Sequence, residues 1–396
     1  MSRLWDKGTS LDAQVLKYTA GEDHALDNRL VAYDIRASIA HAEMLGERKL
    51  LSAHDVAAIR DALTAIGDEH RLGKWQISLE QEDCQTAIEN LLTARIGATG
   101  GRLHAGRSRN DQVLAALRLY MRDAANGLAQ GALAVAEALS ELAARHPGQE
   151  LPGYTHMQQA MPSSVELWAS GYASELRDDA EGLRAAQRRI GKNPLGSAAG
   201  FGTPNLDVSR ESTRRRLEFA ETHEPVTAVQ LSRGKAEAQL LFEITLLSQD
   251  LGRLAADLLL FYTQEFSYVS LPDAFTTGSS IMPQKRNPDV FELVRGRSAV
   301  AHAALNEVLG ITQKLTSGYH RDLQLIKPPL FRAIDSCLQT LSILPSALNG
   351  VRFRPEKIRL DPGVHAAGAA NALVAKEGIP FREAYRQVAA KLKDNE

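Results

Sequence analysis

Cysteine is almost missing from this chain: Cys84 and Cys337 are the two among 396 residues. They lie far apart and form no Cys-x-x-Cys pair. Two thiols cannot staple a chain of this size, and the pattern fits a reducing, cytoplasmic setting. No apolar run is long enough to span a bilayer, and the mean hydropathy is −0.24, so a membrane partner is not expected. Neither sign of charge dominates. A formal net charge of −2 gives no reason to expect nucleic acid or an anionic membrane as partner. The 11 histidines show no His-x-x-x-His or His/Cys spacing, so neither a metal nor another cofactor is expected. The opening Met1-Ser-Arg-Leu-Trp-Asp6 lacks an apolar stretch after its basic residue and does not read as a secretory signal. Strand signals are sparse, and no hairpin dipeptide stands between two β-branched runs.

What is present is helical periodicity. Leu240, Ile244, Leu247, Leu251, Leu254, Leu258 and Phe261 alternate steps of four and three, which predicts a long helix packed lengthwise against others. A second seam steps by seven through Leu114, Met121, Leu128, Val135 and Leu142. Its companion stripe of Leu117, Ala124, Gly131 and Ala138 is small enough to let helix axes approach closely. Such helices belong in a bundle, so the fold class expected is all-α. Breakers separate the seams at Gly97–Gly106, Pro147–Pro162, Lys192–Pro204 and Leu271–Pro288, and Lys327-Pro-Pro is expected to end the helix after that. These breaks suggest an N-terminal helical domain over 1–105, a central bundle over 106–350 and a short C-terminal piece over 351–396.

The breaks also carry the polar clusters, as expected when a rigid bundle presents functional loops. The richest is Gly278-Ser-Ser-Ile-Met-Pro-Gln-Lys-Arg-Asn-Pro288. It holds a hydroxyl (Ser279), a cation (Lys285) and a carboxamide (Asn287), the groups needed to hold a carboxylate beside a proton-accepting oxygen. Glu292 follows, in the first turn of a helix expected from about Pro288, where it either orients a histidine or complements the helix dipole. Gly106-Arg-Ser-Arg-Asn-Asp111 places Ser108 and Asp111 at capping-box spacing, with Arg107, Arg109 and Asn110 as an anion site beside a helix N-terminus. Pro152-Gly-Tyr-Thr-His156 offers Thr155 and a histidine that titrates near neutrality. Tyr319-His-Arg-Asp-Leu-Gln324, with Lys327 beyond, offers further polar contacts or a solvated helix end.

Together these motifs resemble the argininosuccinate lyase family of the fumarase/aspartase superfamily, from about Trp5 to Tyr385. The resemblance implies a three-domain all-α subunit and a homotetramer with a shared helical core and active sites at three-subunit junctions. The small-molecule substrate implied is argininosuccinate, split to arginine and fumarate. By the same likeness Ser279 is the catalytic base, His156 the acid paired with Glu292, and Lys285 the stabiliser of the carbanion. Asn110, Thr155, Asn287, Tyr319, Gln324 and Lys327 fall on substrate-binding positions. Several positions depart from the pattern. Asp23 stands where many members have a substrate-contacting serine, and Gln85 where Glu-Asp-x-His has its histidine. Ser232-Arg-Gly-Lys235 replaces Ser-Asp-Arg-Asp, and Gln324-Leu-Ile-Lys327 replaces Gln-Glu-Asp-Lys. The chain also stops soon after Tyr385, where familiar members continue for several helices. Two alternatives stay open: another fumarate-releasing lyase (adenylosuccinate lyase or fumarase), or a non-catalytic structural homologue such as a lens crystallin.

Overall fold

The computed structural model describes residues 12–393. Met1–Asp6, with the start of the likeness at Trp5, lies outside them. Helices dominate the described residues, and the strands described form three two-stranded sheets, so the fold is all-α as the periodicity predicts. The long helices described are Arg109–Ala144, Val165–Ile190, Lys235–Tyr262, Asp289–Thr312 and Lys327–Gly350.

Both heptad seams are buried. Leu240, Ile244, Leu247, Leu251, Leu254, Leu258 and Phe261 are at most 4% exposed, and Leu114, Met121, Leu128, Val135 and Leu142 at most 1%. Burying each such side chain stabilises the fold by about 1.5–3 kcal/mol relative to exposure. The small stripe also acts as expected at Gly131, where an added Cβ would stand 2.9 Å from Leu341 Cβ. Only a residue without a side chain lets those two helices come so near.

Two compact units are present. One comprises Met1–Ala129, Gly182–Thr245 and Val300–Asp335; the other comprises Gln130–Glu181, Leu246–Ala299 and Ser336–Glu396. In the first, Ala37, Ala40, Ala115, Leu119, Leu195, Leu217 and Phe219 form a buried cluster. In the second, Trp168, Phe261 and Phe353 stack edge-on or tilted at 5.8–6.3 Å between centroids.

Two breaks differ from expectation. The Pro147–Pro162 stretch contains an antiparallel hairpin, Glu150–Thr155 against Gln158–Ser164. Its two-residue turn is His156-Met157, both at positive φ (52° and 61°), a conformation usually signalled by Asn-Gly. Lys327-Pro-Pro does not end a helix. The preceding long helix stops at Thr312, and Lys327 opens the next one. Proline is tolerated in a first turn because the N–H it lacks would have no partner there.

Candidate active site

In the first unit, six of the residues singled out in the sequence line one narrow crevice: Asp23, Arg109, Asn110, Tyr319, Gln324 and Lys327. Its free volume is about 30 Å³, room for a water or two rather than a dicarboxylate. Local structure explains the convergence. Gln324 lies in the short 3-10 helix Arg321–Ile326, and its Nε2 donates to the carbonyls of Thr19 (3.1 Å) and Ala20 (3.0 Å). Those carbonyls end the Ala13–Ala20 helix and lack an intrahelical partner. The contact ties residues 321–327 to the turn before Asp23, and Gln324 keeps its oxygen as the end that can meet a ligand.

Lys327 sits at the floor of the crevice, 2% exposed, with Nζ 2.8 Å from Asp23 Oδ2 and 2.8 Å from Asp27 Oδ1. Burial pushes Asp23 up to about 7 against the opposing pull of Lys327, and it raises Asp27 as well. Burial alone would lower Lys327, but the charges of Asp27 and Asp23 outweigh it and hold the ammonium above its ordinary range. Lys327 is therefore a fixed cation whose charge is already shared by two carboxylates.

Arg109, at the start of the Arg109–Ala144 helix, is similarly engaged. Its Nη1 lies 3.3 Å from Glu82 Oε2 and 3.2 Å from Asp83 Oδ2. Burial works against its charge, and Asp83 and Glu82 more than restore it. Glu82, Asp83, Arg233 and Arg321 also line the crevice, though the sequence reading gave them no role. The adjacent Glu82-Asp83 pair was the available signal.

Half of the expected capping box forms: Asp111 Oδ1 accepts from Ser108 N at 2.9 Å, while Ser108 Oγ caps the helix one residue earlier, accepting from Asn110 N at 3.3 Å. The other oxygen of Asp111 accepts from Gly196 N (3.0 Å) and Ala198 N (2.8 Å), fastening the glycine-rich 192–204 stretch to the same helix start. Arg107 corrects the expected anion site. It is buried and donates to Ser38 Oγ at 2.8 Å, with Asp34 the main charge supporting it against burial. Gln85 likewise lines no part of the crevice. It is buried, and its Nε2 donates to Asp34 Oδ2 at 2.9 Å.

The second unit carries the other six residues on three segments. Thr155 and His156 stand exposed at the hairpin tip, where left-handed backbone on non-glycine residues costs on the order of 1–3 kcal/mol each. The hairpin is steadied by a Tyr154–Tyr268 hydroxyl contact at 3.2 Å and by Gln159, which bonds the backbone of Arg359 (3.0 Å) and Asp361 (2.8 Å). The Gly278–Pro288 segment is pinched at its base by a two-bond bridge between Thr277 and Asn287, at 3.1 and 2.8 Å. Asn287 Nδ2 also donates to the Gly278 carbonyl at 3.2 Å.

Inside that loop Ser279 Oγ accepts from the backbone N–H of Ile281 (3.4 Å) and Met282 (3.2 Å). Lys285 is exposed, and among the described residues no carboxylate pairs with it. Glu292 lies in the first turn of the Asp289–Thr312 helix and is exposed. No hydrogen bond or ion pair joins it to His156 within the subunit, among the described residues.

A family model described as Lyase matches residues 12–302. An argininosuccinate lyase of Sorangium cellulosum (strain So ce56) is 47% identical over 98% of this chain and 90% of its own length. The chain belongs to the argininosuccinate lyase family. Another member, from Xylella fastidiosa (strain Temecula1 / ATCC 700964), is 43% identical over 99% of this chain and 88% of its own length. The fold recurs in a variant of EDDS lyase with bound fumarate (TM-score 0.79, 24% identity, 96% of this chain and 76% of that one). A class II fumarase of Schistosoma mansoni shares it too (TM-score 0.77, 16% identity, 97% and 93%). As a family member the chain is a lyase of the carbon–nitrogen class.

Proposed function

We propose that the protein cleaves argininosuccinate to arginine and fumarate by β-elimination. The observation that carries the reading is the setting of Ser279, whose oxygen accepts from two backbone N–H groups in a loop that also carries Lys285. Fixed donors, with a cation carried on the same loop, favour the ionised oxygen, which a serine needs in order to act as a base. The choice of substrate rests on the named activity of the relatives.

In this mechanism the Ser279 oxygen takes the proton from the carbon next to a succinyl carboxylate. The electron pair moves onto that carboxylate, where Lys285, Asn287 and loop N–H groups stabilise it; such preorganised stabilisation is usually the largest catalytic contribution. The pair then returns to form the fumarate double bond as the C–N bond breaks. Protonated His156 gives its proton to the departing guanidine nitrogen, a step worth roughly 10²–10⁴-fold for a well-placed acid. Glu292 orients that ring. Thr155 and the crevice residues Asp23, Arg109, Asn110, Tyr319, Gln324 and Lys327 bind the remainder of the substrate.

The working form is a homotetramer in which the long helices pack together and different subunits complete each site. Exposed large apolar side chains on the long helices support this, among them Leu167 (64%) and Leu293 (60%) in one unit and Leu309 (49%) in the other, because association would remove them from water. We place it in the cytoplasm, in keeping with two buried, unbridged cysteines. No helix among the described residues is long and apolar enough to cross a membrane. Incubating the purified protein with argininosuccinate and following the ultraviolet absorbance of fumarate tests the reaction. Absence of fumarate from a protein of tetrameric mass would overturn it.

A further inference from the structure

One cavity in the first unit has no part in this chemistry. It is open to the surface, holds about 560 Å³ beside the start of the Lys235–Tyr262 helix, and its polar lining is Arg118, Arg189, Lys192, His223, Ser232 and Lys235, with no Asp or Glu among the lining residues. None of these lines the Asp23–Lys327 crevice.

Arg118 is the decisive group. It is 1% exposed, yet its guanidinium meets only neutral partners: the Lys192 carbonyl, His223 Nδ1 at 3.1 Å and Ser232 Oγ at 2.7 Å. Its Nε has no hydrogen-bond partner among the described residues. Glu237 acts on it only through longer-range charge, and burial outweighs that, bringing Arg118 down to about 10. It is thus a cation at neutral pH, and a buried cation without an adjacent counter-charge is costly.

Of the other three cations, Lys192 pairs with Glu221 at 2.9 Å; Arg189 and Lys235 are exposed, with no ion pair among the described residues. Burial, reinforced by Arg118, pushes His223 down to about 4. Its ring is therefore neutral, and because Nδ1 accepts from Arg118, the proton sits on Nε2 as a further donor. Lys235 opens a 28-residue helix, so the positive end of its dipole faces the same region.

We infer that this cavity is a binding site for a small phosphate-bearing anion, whose charge supplies what Arg118 lacks. Several cations and the Nε2–H donor of His223 suit a multiply charged tetrahedral oxyanion better than a single carboxylate; Ser232 is not among the donors, because its hydroxyl is spent on the Val229 carbonyl at 2.6 Å.

Isothermal titration of the intact enzyme with inorganic phosphate and with pyrophosphate tests this, with acetate as control. Saturable binding of at least one phosphate probe is expected, weakening with salt, unaffected by saturating fumarate and stronger than any acetate signal. The double variant Arg189→Ala/Lys235→Ala removes two exposed side chains, so it folds, and it is expected to bind roughly tenfold or more weakly. The inference fails if neither probe binds above acetate, if the double variant binds equally well, or if fumarate displaces the probe.

Discussion

Lys327 and Asp27, 300 residues apart in sequence, meet at 2.8 Å with Asp27 fully buried and Lys327 nearly so. Asp23 shares the same ammonium. Breaking such a cluster from one side leaves buried charge without compensation, which costs about 3–5 kcal/mol. Lys327→Met is accordingly expected to lower the unfolding free energy by that amount. Adding Asp27→Asn to Lys327→Met is expected to recover part of the loss. Urea denaturation of the single and double variants checks both statements; equal stability of Lys327→Met and the parent would show that the cluster contributes nothing.

Ser279 lies in a partly exposed loop whose contacts are mostly local. Ser279→Ala is therefore expected to abolish fumarate formation while changing stability by no more than about 0.5 kcal/mol. Circular dichroism alongside the absorbance assay separates the two effects. Substantial residual turnover would remove Ser279 as the base.

Lys285 is assigned to charge that appears only during the reaction. Lys285→Met is expected to depress kcat far more than it raises KM. A loss confined to KM would mark the residue as a ground-state binder instead.

Acid stability has a defined sign at His41. The ring is buried, bonds the Ala105 carbonyl at 2.8 Å and is lowered to about 3, by burial first and the Arg107 charge second. Its folded value lies below the unfolded one, so the unfolded chain takes up the proton first. The stabilising contribution is complete above about pH 6.5 and is lost as pH falls, at about 1.4 kcal/mol per unit. His41→Gln is expected to flatten this slope, so that between pH 6.5 and 5 the parent loses about 2 kcal/mol more than the variant. Parallel urea titrations at the two pH values decide it.

Gln85 stands where the family resemblance suggests an active-site histidine, yet its amide is bonded to the buried Asp34. Gln85→Leu is expected to cost about 1–3 kcal/mol of stability, since it strips a donor from a buried carboxylate. KM is expected to stay close to that of the parent. A large rise in KM without loss of stability would place Gln85 in contact with substrate.

Much of this molecule is legible without coordinates. The seven-residue stepping of Leu114–Leu142 and Leu240–Phe261 is enough to specify long packed helices, because helical burial is a local, periodic property. The polar segments stand out as breaks for the same reason, and their combination specifies the family. What local pattern does not carry is the partner each polar group finds. Arg107 and Arg109 are two residues apart, yet one turns inward to Ser38 while the other meets Glu82 and Asp83 at the crevice. The His156 hairpin was hidden because its turn uses none of the residues that usually mark one, and neighbouring structure holds the strained backbone in place. Helix position follows from neighbours in the chain. Charge pairing depends on which distant segments are buried against one another, and only the folded chain decides that.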